Sequence, residues 1–60
     1  MSTVYNPESD TIAQIERLEL EARDIRKRSE SARSAEDQRV LNHQLEEIKD
    51  QITFLRAKLP

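Results

Sequence analysis

Leu41-Asn42-His43-Gln44-Leu45-Glu46-Glu47-Ile48-Lys49-Asp50-Gln51-Ile52-Thr53-Phe54-Leu55-Arg56-Ala57-Lys58-Leu59 is the stretch whose reading decides the fold. One apolar stripe runs through it at 41, 45, 48, 52, 55 and 59, with gaps of four, three, four, three and four. Such gaps hold a stripe on one face of a helix that turns once in about 3.6 residues. A half-buried strand would instead alternate apolar and polar at every second residue. The stripe is an uninterrupted a/d heptad seam of the coiled-coil type.

Upstream of it, Ser34-Ala35-Glu36-Asp37 places a Ser at the N-cap and an acid at the third helical position, a capping box in outline. The segment before that, Arg26-Lys27-Arg28-Ser29-Glu30-Ser31-Ala32-Arg33, carries no apolar stripe. Farther back, Ile12, Ile15, Leu18, Ala22 and Ile25 recur with gaps of three, three, four and three. Asn6-Pro7-Glu8 supplies a start for this first helix: an N-cap Asn, Pro at the first helical position and an acid in the first turn.

The two stripes cannot share one face of one helix. With Ile15 at an a position, the heptad continues to Ala22, Ser29, Glu36 and His43, whereas the second stripe needs Gln38, Leu45, Ile52 and Leu59 there. That is a slip of two residues, or about 200° of rotation. The stripes also mirror one another, with Ile25 opposite Leu41, Ala22 opposite Leu45, Leu18 opposite Ile48, Ile15 opposite Ile52 and Ile12 opposite Leu55. An antiparallel hairpin turning near 33–34 fits both features. Two long helices pairing between chains would give the same mirror relation, and the chain has no Gly for a left-handed C-cap at a turn. The expectation is an all-α fold: an arm over 1–6, helices over about 7–32 and 35–59, and a hairpin that dimerises as a four-helix bundle.

Composition explains the expected dimer. A single domain of 60 residues buries only about 60% of the surface of its unfolded chain, so it needs a staple. Cys is absent and His43 is the one His, which removes disulfides and thiolate or multi-histidine metal sites. Oligomerisation is what remains. The expected self-association seam is Ile12, Ile15, Leu18, Ala22, Ile25, Leu41, Leu45, Ile48, Ile52, Leu55 and Leu59. No stretch approaches the roughly 20 apolar residues of a membrane span, and the first residues lack a basic or apolar leader. A cytoplasmic protein without membrane contact is expected.

Catalytic chemistry finds little to use. There is no Cys nucleophile, no Gly-rich phosphate loop and no Glu-x-x-His for a di-metal bundle. The carboxylates read as solubilising groups, with Glu19–Arg23 and Asp24–Arg28 as i,i+4 pairs. His43 reads as an outer-face residue. Neither an enzyme nor a cofactor is expected.

Charge is uneven along the chain: −4 over residues 1–22, +2 over 23–39 and zero over 40–60, within a total of −2. The basic part, Arg23, Arg26, Lys27, Arg28 and Arg33, continued by Arg39, is a candidate contact for an anion or nucleic acid. Asp24, Glu30, Glu36 and Asp37 dilute it, and it holds no aromatic for base stacking. Off the seam stand Leu20, Val40 and Phe54, and Tyr5 in the arm. These form either a patch for a protein partner or an intramolecular cover, with Val4 and Tyr5 folded over Phe54.

In length and layout the chain resembles the small helical-hairpin proteins of the Rop type, dimeric RNA regulators; the likeness lies in architecture and implies no site residues. The leading expectation is an interaction protein that binds and modulates, or helps assemble, another protein. A nucleic-acid regulator using the basic turn and a purely structural oligomerisation element are the alternatives.

Overall fold

The chain reverses at Ala32-Arg33-Ser34, and it does so without glycine. In the computed structural model, which describes residues 7–60, α1 spans Pro7–Ser31 and α2 spans Ala35–Arg56. Among these residues none has a positive φ. The left-handed cap that glycine usually supplies is replaced by two cheaper devices. At the end of α1 the Ala32 amide donates to the Ser29 carbonyl at 3.3 Å, a tightened i→i−3 turn. Ser34 is then extended, at φ −112° and ψ 148°, and its Oγ accepts from the Asp37 amide at 3.0 Å. Its carbonyl accepts the first helical bond, from the Gln38 amide at 3.1 Å. Ser34 is therefore the N-cap that the sequence indicates, and the break it makes yields a hairpin within one chain rather than one long helix.

The far end of α2 differs from expectation. The helix stops at Arg56, and the Lys58 and Leu59 amides donate to the carbonyls of Leu55 and Arg56, each at 3.1 Å, in i→i−3 turns. Pro60 keeps the helix from continuing past Leu59, because proline disfavours the α region for the residue before it. Leu59 remains half-buried all the same. The expected Asn6 cap and the arm lie outside the described residues, as does any cover of Phe54 by Val4 and Tyr5.

The two helices pack along their length. On α2 the shielded positions are the expected ones: Leu41, Leu45, Ile48, Ile52, Leu55 and, beyond the helix, Leu59. On α1 they are Thr11, Ile15, Leu18, Ala22, Ile25 and Ser29, then Ala32 beyond the helix. Ile12 does not belong among them, being 45% exposed. The reason is phase: two successive gaps of three, from Ile12 to Leu18, rotate about 120° away from the seam, whereas a gap of four back from Ile15 reaches Thr11. Thr11 turns its hydroxyl back to the Pro7 carbonyl, 2.9 Å away, and so enters the seam with its polar atom satisfied.

The mirror pairing also shifts. The Ser29 hydroxyl donates to Asn42 Oδ1 at 3.4 Å, which sets Ser29 rather than Ile25 level with Leu41. The layers are then Ser29–Leu41, Ile25–Leu45, Ala22–Ile48, Leu18–Ile52, Ile15–Leu55 and Thr11–Leu59. Each joins an a position to a d position, as antiparallel seams require if knobs are to enter holes. Pairing Ile25 with Leu41 would have set d against d.

The core is lopsided. Ile15, Ala22 and Ile25 are buried, all on α1, while no residue of α2 is. The α2 seam is entirely Leu and Ile, large enough to shield what lies beneath. The α1 seam mixes in Thr11, Ala22 and Ser29, too small to cover α2 in return. No helix among the described residues is long and apolar enough to cross a membrane.

Candidate interaction faces

A two-helix layer has two grooves, and here a simple rule assigns residues to them. Side chains one position before a seam residue line one groove; those one position after line the other. Each sits about 100° off the seam, in opposite senses.

The first groove holds Leu18, Phe54 and Leu55 between Gln14, Arg17, Asp50 and Gln51, a shallow space of about 500 Å³. Phe54 stands 62% exposed, with Lys58 Nζ 4.6 Å from the centre of its ring. Val40, 53% exposed, follows the same line two heptads nearer the turn. Beside it His43 Nε2 meets Glu47 Oε1 at 2.9 Å, both side chains open to solvent. This is the more apolar side of the hairpin.

The second groove has a floor of Ala22, Ile52 and Thr53 and walls of Arg23, Arg26, Lys49, Arg56 and Glu19. Thr53 satisfies its hydroxyl on the Lys49 carbonyl at 3.0 Å. Glu19 reaches across to Arg56, Oε1 to Nη2 at 3.6 Å, rather than pairing with Arg23 on its own helix as expected. That bridge is exposed on both sides and adds little stability. Within this central stretch four cations stand against one acid, while Glu16, Glu30 and Glu46, which also follow seam positions, lie on the same side toward its ends. Ile12, one position after Thr11, lies on this side.

The basic cluster expected at the turn is therefore dispersed. Arg23 and Arg26 enter the second groove, while Lys27, two residues past Ile25, sits about 200° from the seam on the outer surface. Arg28 pairs with Asp24 at 3.1 Å, the i,i+4 pair read from the sequence. Arg33 stays in the turn, exposed. Lys49 and Arg56 were missed by a reading that looked for cations adjacent in sequence. Their signal is the heptad: Lys49 and Arg56 are seven apart, as are Glu19 and Arg26, and all four follow seam positions.

The expected apolar patch divides as well. Val40 and Phe54 share a side, but Leu20 lies two residues past Leu18, about 200° round, and is 63% exposed facing away from α2. Tyr5 falls outside the described residues. Among the described residues no cluster of acidic, His or Cys side chains could hold a metal ion. No described polar side-chain atom is buried without a partner. What the geometry offers is two open grooves of unlike character, suited to laying a helix or an extended polymer against them. No family model, curated protein or solved structure is significantly similar to this chain.

Proposed function

We propose that this chain is a non-enzymatic protein–protein interaction module. In this reading it pairs with a second copy as a four-helix bundle and, in that form, binds and modulates or helps assemble another protein. The observation that supports it is the half-dry seam. All six seam residues contributed by α2 and the segment after it keep part of their surface in water, and Phe54 and Val40 stand open beside them. A second hairpin laid on the Val40–Phe54 side covers both at once, and four helices around a shared core are a stable arrangement for such seams. Leu20 and the charged second groove stay outside, available to another protein.

Sedimentation equilibrium tests the first half: a mass of twice 7.0 kDa is expected, and a monomer at millimolar concentration sinks the reading. Phe54→Lys is expected to weaken the dimer while circular dichroism still reports helix. For the second half, affinity capture with Leu20→Glu that leaves the dimer mass unchanged should lose one dominant protein. A capture profile indifferent to every exposed position would leave the purely structural oligomerisation element standing.

A second reading, a nucleic-acid regulator, draws on the four cations at the centre of the second groove. Its weak point is that no aromatic lines the groove. Its signature is affinity for duplex RNA or DNA that falls steeply with salt.

A further inference from the structure

We propose that a second copy of this chain docks on the Val40–Phe54 face with its turn at the opposite end, the twofold axis crossing α1 between Arg17 and Glu21. This rests on the self-association reading above and adds the orientation of the partner, which decides the residues that meet. The side chains one position before the α1 seam are Asp10, Gln14, Arg17, Glu21, Asp24 and Arg28; those before the α2 seam are Val40, Gln44, Glu47, Gln51, Phe54 and Lys58. Every one of them is exposed. The seam layers set them in rows across the face. Arg28 and Val40 lie nearest the turn, followed by Asp24 with Gln44, Glu21 with Glu47, Arg17 with Gln51, Gln14 with Phe54 and, farthest away, Asp10 with Lys58.

Two hairpins stacked on this face with twofold symmetry have two orientations. With the turns together, each row meets itself, α1 lying over the partner's α2. Glu21 then faces the partner's Glu47 and Glu47 the partner's Glu21, so four carboxylates share one layer, and only Asp10 with the partner's Lys58 attracts. With the turns apart, the order of rows reverses and α1 lies over the partner's α1. Arg17 now meets the partner's Glu21, and Arg28 meets the partner's Asp10; the axis repeats each pair. Arg28, bridged to Asp24 at 3.1 Å on its own helix, thus stands between two acids. On α2, Phe54 meets the partner's Gln44, Val40 the stem of the partner's Lys58, and Glu47 the partner's Gln51. No like charges stand opposite one another.

Exposed ion pairs add little affinity each, but opposed like charges penalise a wrong arrangement. Charge therefore sets the orientation, and the apolar surface of Phe54 and Val40 sets the face. The second groove follows the same orientation: reversed stacking there sets Arg23, Arg26 and Arg56 against the partner's Glu19, Glu16 and Glu46. Among the described residues, however, it offers only Ile12 as an exposed large apolar side chain.

The test uses the full chain. It has no Cys, so Arg33→Cys in the exposed turn carries a single spin label per chain. Dipolar spectroscopy of the dimer is expected to give a turn-to-turn distance near 40 Å, from about thirteen residues of helix on either side of the axis. Turns at the same end would give less than about 25 Å, since packed helices lie about 8–10 Å apart. Glu21→Arg separates the orientations by sign. With the turns apart, the introduced arginine faces the partner's Arg17, and the dissociation constant should rise about tenfold. With the turns together, it would face the partner's Glu47, and the constant would fall. Arg17→Glu/Glu21→Arg should restore wild-type association, and circular dichroism checks that each variant keeps its helix content. Sedimentation at about pH 8, where histidine is ordinarily uncharged, keeps His43, 2.9 Å from Glu47, from masking the acids. A short turn-to-turn distance overturns the proposal, as does a Glu21→Arg variant that associates as tightly as wild type or more so. A monomer mass for the wild-type chain, with no dipolar coupling, overturns instead the self-association reading on which it stands.

Discussion

Ile12 and Ile15 are the same residue type three positions apart, yet they have opposite fates. Ile15 is 5% exposed and Ile12 45%, because only Ile15 keeps the alternation of three and four. Ile15→Ala should therefore cost about 2–3 kcal/mol, at the lower end for a buried aliphatic truncation. Ile12→Ala should stay within about 0.5 kcal/mol, as exposed substitutions do. Urea midpoints at one fixed protein concentration make the comparison, and equal losses would mean that the seam phase is wrong. Ser34 carries a second contrast. Its Oγ satisfies the Asp37 amide and its backbone is extended, so Ser34→Ala is expected to lose about 1 kcal/mol and Ser34→Gly only a few tenths. An Ala variant as stable as wild type would show that the turn holds without its cap.

At the scale of the elements, the α2 seam, though not the helix's end at Arg56, was legible from residue spacing, because every seam position from Leu41 to Leu59 is Leu or Ile. In α1 the polar Thr11 and Ser29 hold seam positions, so a search for apolar residues alone drifted to Ile12 and lost the stripe beyond Ile25. The turn was visible as a capping pattern and a two-residue phase slip. The layer register was not, since pairing 25 with 41 or 29 with 41 matches the apolar spacing equally well. Only the a-to-d interlock and the Ser29–Asn42 bond separate them. The cation cluster at the centre of the second groove went unseen for a related reason: its members lie far apart in sequence and meet only once both helices are lettered by heptad. Thr11 yields the test at this scale. Thr11→Leu fills the last mixed layer, opposite Leu59, and removes a back-bonded hydroxyl from the helix. A gain of about 1 kcal/mol is expected in chemical denaturation, from added apolar burial. A loss would place Thr11 outside the layer.

For the whole molecule, the question is whether two helices suffice. Three buried side chains among the described residues, all on one helix, are a thin core, and no disulfide reinforces it. If a second copy completes the core, unfolding separates two chains, and stability must rise with protein concentration. Each tenfold increase then adds about 1.4 kcal/mol per dimer. Two chains of 60 residues have an unfolding entropy of about 0.25 kcal/mol/K, taking about 2.1 cal/mol/K for each residue. The quotient is a rise in Tm of about 5–6 °C per decade of concentration. Thermal melts followed by circular dichroism at 5, 50 and 500 μM would expose it as evenly spaced, parallel curves, with concentrations of about this range bracketing ordinary dimer affinities. Phe54→Lys should shift the whole series downward, because it weakens the docking face without touching a buried seam residue. Superimposed melts across that range would show that the hairpin stands alone, and the open side of α2 would then belong to a different protein.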